Sequence, residues 1–317
     1  MNYRIIVNPV AGRGAGARAV PEIEQLLHSH GLRFDLVCTE RPWHAAELAQ
    51  QAATDGCDVV VAVGGDGTSN EVLNGLMSLR PDTTPGACEA LPAMGVLCVG
   101  RGNDFAYGAG IPTDLEQGVA ALANGERREI DVGHVYGGLY PEGRYFGNGI
   151  GIGFDAVVGF IAARQIRLSG SLSYLLAAMK TIFLYYHAPF VAIDFNDMTL
   201  QMPSLMVSVM NGRRMGGAFM MAPKSEPADG LLDLCIARDV NPLRALGLIP
   251  HFMRGTQMTQ RPITMAKTAR LRVTAREGTL PAHADGETLC KEGHELEVFL
   301  LPRQIEVITA SPEREGA

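Results

Sequence analysis

The chain has 317 residues, 47% of them hydrophobic and 19% charged, apolar enough for substantial cores and longer than one ordinary small domain requires. Lysine and arginine together number 27 against 34 acidic residues, a net charge of −7, so no basic field exists to hold nucleic acid by counterion release, and a general DNA or RNA binder is disfavoured. Only Lys180, Lys224, Lys267 and Lys291 are lysines; a base-composition bias explains the arginine excess, and no function is read from it. The six cysteines (Cys38, Cys57, Cys88, Cys98, Cys235, Cys290) form no CxxC pair and have no histidine at zinc-ligand spacing, which reads as reduced core thiols of a cytoplasmic protein. The N-terminal apolar run stops at Asn8-Pro9 and lacks the hydrophobic region of a signal peptide.

In chain order, the first third alternates short β-branched runs with helical patterns, as a parallel sheet with crossover helices does. A strand is expected at Tyr3–Val7, then the glycine-rich stretch Gly12–Gly16 and a helix from about Ala17 to His30 with Val20, Ile23, Leu26 and Leu27 on one face, ended by Gly31. Strand Leu32–Cys38 and helix Trp43–Thr54 follow. The run Asp58–Val63 is almost all valine and alanine, the mark of a strand buried on both faces, and leads through Gly64–Thr68 into a helix reaching about Leu79. Strand Met94–Val99 and helix Asp114–Asn124 complete the region, and Gly125 closes it.

Beyond Glu126 the pattern becomes mostly antiparallel β, with short alternating runs at Ile130–Tyr136, Arg144–Asn148, Phe190–Phe195, Leu205–Met210, Leu231–Ala237, Ala269–Thr274 and Leu296–Leu300. Two domains are therefore expected, residues 1–125 and 126–301, with the option that the tail 302–317 returns to the first; the end from Ser311 onward is polar and reads as unstructured. Between Leu168 and Ile193 the only formal charge is Lys180. Its serines, Gly170, His187 and Pro189 make a poor spanning helix, so a buried or interfacial helix from about Ser171 to Tyr186 is expected instead. The mean hydropathy of +0.08 keeps a membrane-surface role in view.

The strongest chemical signal is GGDGTSNEVLNGL, from Gly64 to Leu76. It sets Gly64, Gly65 and Gly67, with Asp66 and Thr68, between a buried strand and a helix N-terminus, where free N–H groups and the helix dipole suit phosphate. Asp66 is a candidate holder of a magnesium ion; Thr68 either caps the helix or donates to a phosphate oxygen. No GxxxxGK[ST] element and no HRD or DFG signature occurs, and a Rossmann reading fails because Cys38-Thr39 stand where an acidic residue should end the second strand.

These residues make a resemblance specific. NPVAGRG (Asn8–Gly14), GGDGTSNEVLNGL, GRGNDFA (Gly100–Ala106), NGRRMGGAFMMAPKSEPADGLLD (Asn211–Asp233) and HADGE (His283–Glu287), in that order, resemble the bacterial diacylglycerol kinase and lipid kinase family. The resemblance implies an NAD kinase-like α/β N-terminal domain followed by a mainly antiparallel β-sandwich, and an ATP-dependent kinase acting on a lipid hydroxyl of the diacylglycerol kind. It further implies ATP contacts at Asn8, Thr39, Gly64, Gly65, Asp66, Gly67, Thr68, Ser69, Asn70 and Asn103, with Asp66 and Asp104 positioning the nucleotide magnesium. Arg101 stands where the family has threonine, and either reaches a phosphate or points to solvent. A second, structural magnesium is implied at Asp229, Glu226 and Leu231, one carboxylate with two main-chain carbonyls; a plain turn is the alternative. The proton acceptor would be Glu287, with Asp285 close by and Asp66 completing the catalytic set. His283 is an alternative base, although a loop histidine beside an acidic pair reads as a solvated neighbour.

The same resemblance implies a cytoplasmic enzyme in transient peripheral contact with the inner membrane, no nucleic-acid partner, and compatibility with a homodimer. The alternatives are an NAD kinase, or a catalytically silent nucleotide- or lipid-binding protein. The identity of the lipid is not encoded in any side-chain pattern.

Overall fold

A computed structural model describes residues 1–80, 91–100, 102–164, 176, 179–182 and 188–311. Arg101, Cys88 and the polar end beyond Ser311 lie outside the described residues, as does most of the expected helix from Ser171 to Tyr186; its described positions, 176 and 179–182, are helical. The chain divides into two compact units, Met1–Ile130 with Arg303–Ala317, and Asp131–Pro302.

Unit 1 runs β1 (Asn2–Val7), α1 (Ala11–Ser29), β2 (Arg33–Cys38), α2 (His44–Thr54), β3 (Val59–Gly64), α3 (Asp66–Met77), β4 (Ala93–Cys98), α4 (Asp104–Ala109) and α5 (Leu115–Asn124). Its sheet has the order β4-β3-β1-β2, parallel throughout, with Ile5 beside Leu36 and Val61, and Val61 beside Gly95. β3 is buried along its whole length, as its unbroken apolar run requires. The helix after β1 begins six residues earlier than its periodicity indicates, at Ala11 against Ala17, but Gly12, Arg13 and Gly14 have φ of 57°, 60° and 83° and break its regularity. α4 has no counterpart in the sequence reading, because a left-handed Asn103 at its start and Gly110 at its end (φ 52° and 75°) confine it to six residues.

Unit 2 contains most of β5 (Glu126–Gly137), then β6 (Tyr140–Phe146), β7 (Gly149–Gly153), α6 (Phe154–Arg164), β8 (Phe190–Phe195), β9 (Met198–Met210), β10 (Leu232–Arg238), α7 (Pro242–Arg254), β11 (Ile263–Thr268), β12 (Arg270–Glu277), β13 (Leu280–Ala284), β14 (Glu287–Gly293) and the first part of β15 (Glu295–Thr309). β9 is long enough to serve two antiparallel sets. Its first half pairs with β8, which continues to β12 and β15; its second half pairs with β7 and β10. Phe146, Ile150, Ile193, Val209, Leu234, Val273 and Leu296 form the core between these faces. α7 is set by local signals: the Asn241 side chain accepts the Arg244 N–H, Pro242 occupies the first turn, and Gly255 follows at φ 70°.

Among the described residues Cys38, Cys57, Cys235 and Cys290 are free thiols. Burial, with Asp155 nearby, pushes the Cys235 thiol up to about 12, so it is inert at neutral pH.

Candidate active site

In unit 1 the motif residues collect at the carboxyl ends of the parallel strands, where ligands bind in open α/β sheets. The Asn8 N–H donates to the Val63 carbonyl (3.0 Å), the Thr39 N–H to that of Val7 (2.8 Å), and the Val99 and Gly100 N–H groups both to that of Gly64 (3.0 Å each). These bonds set Asn8, Thr39, the Gly64–Asn70 loop and the loop after β4 side by side. Thr68, Ser69 and Asn70 are buried within the first turns of α3. Thr68 does not cap that helix; the N-cap is Gly65, without a side-chain bond, and the Thr68 hydroxyl instead accepts the Asn8 amide at 3.0 Å. A Cβ at Gly64 would lie 2.3 Å from that hydroxyl, and one at Gly100 would lie 2.4 Å from the Gly65 Cα, so glycine is what lets the two loops approach this closely.

The acidic pair converges at the same place. Asp66 accepts the Phe105 N–H through Oδ1 at 3.0 Å, which fixes its carboxylate against the first turn of α4. A Cβ at Gly102 would lie 2.7 Å from Asp66 Oδ2 and 3.5 Å from Asp104 Oδ2. Two carboxylate oxygens therefore lie within 3.5 Å of the position a Cβ would take at Gly102, a donor set suited to a hard divalent cation.

In unit 2, Asp285 and Gly286 (φ 47° and 87°) make the two-residue turn between β13 and β14, and Glu287 stands exposed at its far side. The Asp285 carboxylate is buried and accepts three backbone N–H bonds, from Gly147 (2.8 Å), Asn148 (3.1 Å) and Gly149 (2.8 Å). It holds the β6–β7 turn to the hairpin. His283 differs from its expected solvated position: it lies in β13, 3% exposed, with Nδ1 accepting the Gly286 N–H at 3.3 Å. Its burial comes from packing over Gly151 and Gly159.

Residues to which the motif reading gave no role connect these elements. Asn211, fully buried, donates to the carbonyls of Gly147 (2.8 Å) and Asp131 (2.9 Å), while Asp131 Oδ2 accepts the Gly230 N–H at 2.8 Å. One network thus ties the DGE hairpin to the turn before β10. Asn211 opens the NGRRMGG motif, and that placement was the signal available in the sequence.

The turn itself does not fit the second magnesium. Both Asp229 oxygens are engaged, Oδ1 by the Leu231 N–H (3.0 Å) and Oδ2 by the Lys267 ammonium (2.6 Å), which also lies 3.3 Å from Asp233 Oδ2. The Glu226 carboxylate pairs with Arg213, and its carbonyl accepts the Asp229 N–H at 3.3 Å. A divalent ion on this carboxylate would face an ammonium a few ångströms away, a repulsion of about 4 kcal/mol per unit charge at 4 Å and an effective dielectric of 20. Burial lowers the Lys267 pKa, but its bonds to Asp229 and Asp233 outweigh that and hold it above the usual lysine value.

A further feature is a small apolar cavity inside unit 2 of about 60 Å³, partly open to solvent, walled by Phe154, Val158, Met206, Met215, Met221 and Phe252 among others. Among the described residues that line it, Asp155 is the one polar side chain. Burial pushes the Asp155 carboxyl up, against the opposing influence of His283 and the Ser208 hydroxyl, which donates to Oδ2 at 3.1 Å. A Cβ at Gly151 would lie 2.6 Å from both Asp155 Oδ2 and His283 Nε2, so the two groups meet across that glycine. No helix of the described residues is long and apolar enough to cross a membrane.

Residues 2–135 match the family model described as the diacylglycerol kinase catalytic domain, and residues 148–309 that described as the YegS C-terminal NAD kinase beta sandwich-like domain. The diacylglycerol kinase of Bacillus subtilis (strain 168) is 29% identical over 286 residues, covering 90% of this chain and 89% of that one. The protein named probable lipid kinase YegS-like of Chromohalobacter salexigens is 34% identical over 237 residues, covering 74% and 71%. A crystal structure of a diacylglycerol kinase from Bacillus anthracis str. Sterne superposes with a TM-score of 0.73 at 21% identity, covering 97% of this chain and 96% of that one, which shows a shared fold. With its α/β unit and its β-sandwich each matched in order, the chain belongs to the diacylglycerol kinase and YegS-like lipid kinase family.

Proposed function

We propose that the chain transfers the γ-phosphoryl group of ATP to the hydroxyl of a lipid of the diacylglycerol class. The observation that carries this reading is the convergence of Asp66 and Asp104 on the space above Gly102, at the carboxyl ends of four parallel strands and beside the positive end of α3. Asn8, Thr39, the run Gly64–Asn70 and Asn103, at these strand ends, would serve as nucleotide contacts. Asp66 and Asp104 would hold the nucleotide's magnesium, which supplies charge neutralisation on the triphosphate.

Unit 2 carries the acceptor functions. The apolar cavity is the seat we assign to the aliphatic part of the lipid, its unbranched methionine side chains moving aside to admit the chain. Glu287, exposed at the end of the hairpin, takes the proton of the lipid hydroxyl as its oxygen bonds to the γ-phosphorus and the bond to the ADP oxygen breaks. Asp285 is a positioning residue: its three N–H bonds hold the hairpin that presents Glu287. The net charge of −7 opposes attraction to anionic bilayers, so the lipid is drawn from a membrane surface by brief, local contact.

The test is transfer of radiolabelled phosphate from ATP, with magnesium, to a panel of diacyl, monoacyl and sphingoid acceptors in mixed micelles, with NAD as a soluble competitor. Labelled lipid is the expected product. Labelling of NAD alone, or nucleotide binding without turnover on any acceptor, would overturn the reading.

A further inference from the structure

We infer that Lys267 is the resident cation of unit 2: its ammonium fills the place that family resemblance gives to a structural divalent metal, and the magnesium requirement of this chain is confined to the nucleotide. The position is set by strand register, since Lys267 on β11 is the direct partner of Asp233 on β10, and from there its ammonium reaches Asp233 at 3.3 Å and Asp229 at 2.6 Å. A compact ammonium can sit between two converging carboxylates much as a metal ion does, whereas the planar guanidinium used for most other cations of this chain is shaped to grip one carboxylate at a time. The turn is closed by protein groups on its remaining sides: Asp131 takes the Gly230 N–H, Asp229 takes the Leu231 N–H, and Arg213 neutralises Glu226. The inference does not depend on the identity of the lipid.

Thermal unfolding of the full chain without nucleotide, in EDTA and in excess magnesium chloride, tests it. Any effect at Asp66 and Asp104 is common to all variants and cancels on comparison. Wild type and D229N should respond to magnesium alike. K267Q should melt several degrees lower in EDTA and recover in magnesium, and K267Q/D229N should not recover. A wild-type response larger than that of D229N, or a K267Q chain that magnesium does not stabilise, overturns the inference. Should the variants not fold, amide hydrogen exchange at Gly230 and Leu231 of the wild-type chain decides: rates independent of magnesium support it, and protection by magnesium refutes it.

Discussion

Gly102→Ala isolates the acidic pair. The backbone at Gly102 lies outside the left-handed region, so alanine is compatible with it, and the perturbation is confined to one methyl group. That methyl would sit 2.7 Å from Asp66 Oδ2, and the carboxylate must give way by about 0.7 Å to reach ordinary contact. Asp66 cannot do so freely, because Oδ1 is held by the Phe105 N–H at 3.0 Å. A side chain forced part-way out of its rotamer costs about 1 kcal/mol, or ~2–4 °C in the melting midpoint of a unit of this size. The catalytic effect should be larger, since misplacing a reacting group by about 1 Å costs roughly 10²-fold. Lipid-dependent ATP turnover and thermal unfolding of G102A should therefore diverge, with a modest loss of stability and a large loss of kcat/KM for ATP. Turnover indistinguishable from wild type would show that Asp66 and Asp104 do not work together on the nucleotide.

Glu287→Gln should lower kcat by ~10²–10⁴ while leaving the melting midpoint and ATP binding unchanged, because the side chain is exposed; steady-state kinetics beside a nucleotide titration separate the two. Asp285→Asn should instead destabilise unit 2 by about 1–3 kcal/mol, read from denaturant unfolding, because an amide nitrogen replaces one acceptor of three backbone N–H groups. For Asp155 the sign follows from its raised folded-state pKa. The native state holds the proton more tightly than the unfolded chain, so this group's contribution to stability is complete below the ordinary aspartate pKa and is lost as pH rises from there through the higher folded value. Melting midpoints of wild type and D155N across acid pH should diverge over that window, to the disadvantage of wild type. A gap between them that does not vary with pH would contradict the buried carboxyl.

What the sequence makes legible is local. The unbroken Val59–Gly64 run, the C-terminal glycine at Gly31 (φ 67°) and the position of Asp66 and Thr68 at a strand-to-helix junction are all consequences of near neighbours. The convergence of Asp66 with Asp104 is not, because it depends on Gly65 and Gly100 crossing at contact distance and on the absence of a Cβ at Gly102. β7 is obscured for a related reason: its three glycines weaken any strand signal, yet Gly151 is what admits Asp155 and His283 to the same point. The burial of His283 is likewise invisible in HADGE, since the neighbours that cover it come from β7 and α6. Lys267 reads as an ordinary charge until the β10–β11 register places it opposite Asp233.

The apolar balance of the chain acquires a specific use on the proposed reading. Charge gives a protein of net −7 no means of concentrating itself on an anionic bilayer, so the free energy that selects a lipid has to come from burying its chain, at about 0.8 kcal/mol per methylene. That term is insensitive to salt and proportional to the length of chain accommodated. Met206, Met215 and Met221 on the cavity wall are unbranched and polarizable, so the wall can close on chains of different shape without a fixed complement. Discrimination between lipids then falls to the polar end, where Asp155 is the one polar side chain among the described residues of the wall. A carboxyl pushed up by burial gains most from a donor that reaches it. An acceptor with a hydroxyl or amine near the base of its chain should therefore gain affinity from this cavity that a plain hydrocarbon of equal length does not.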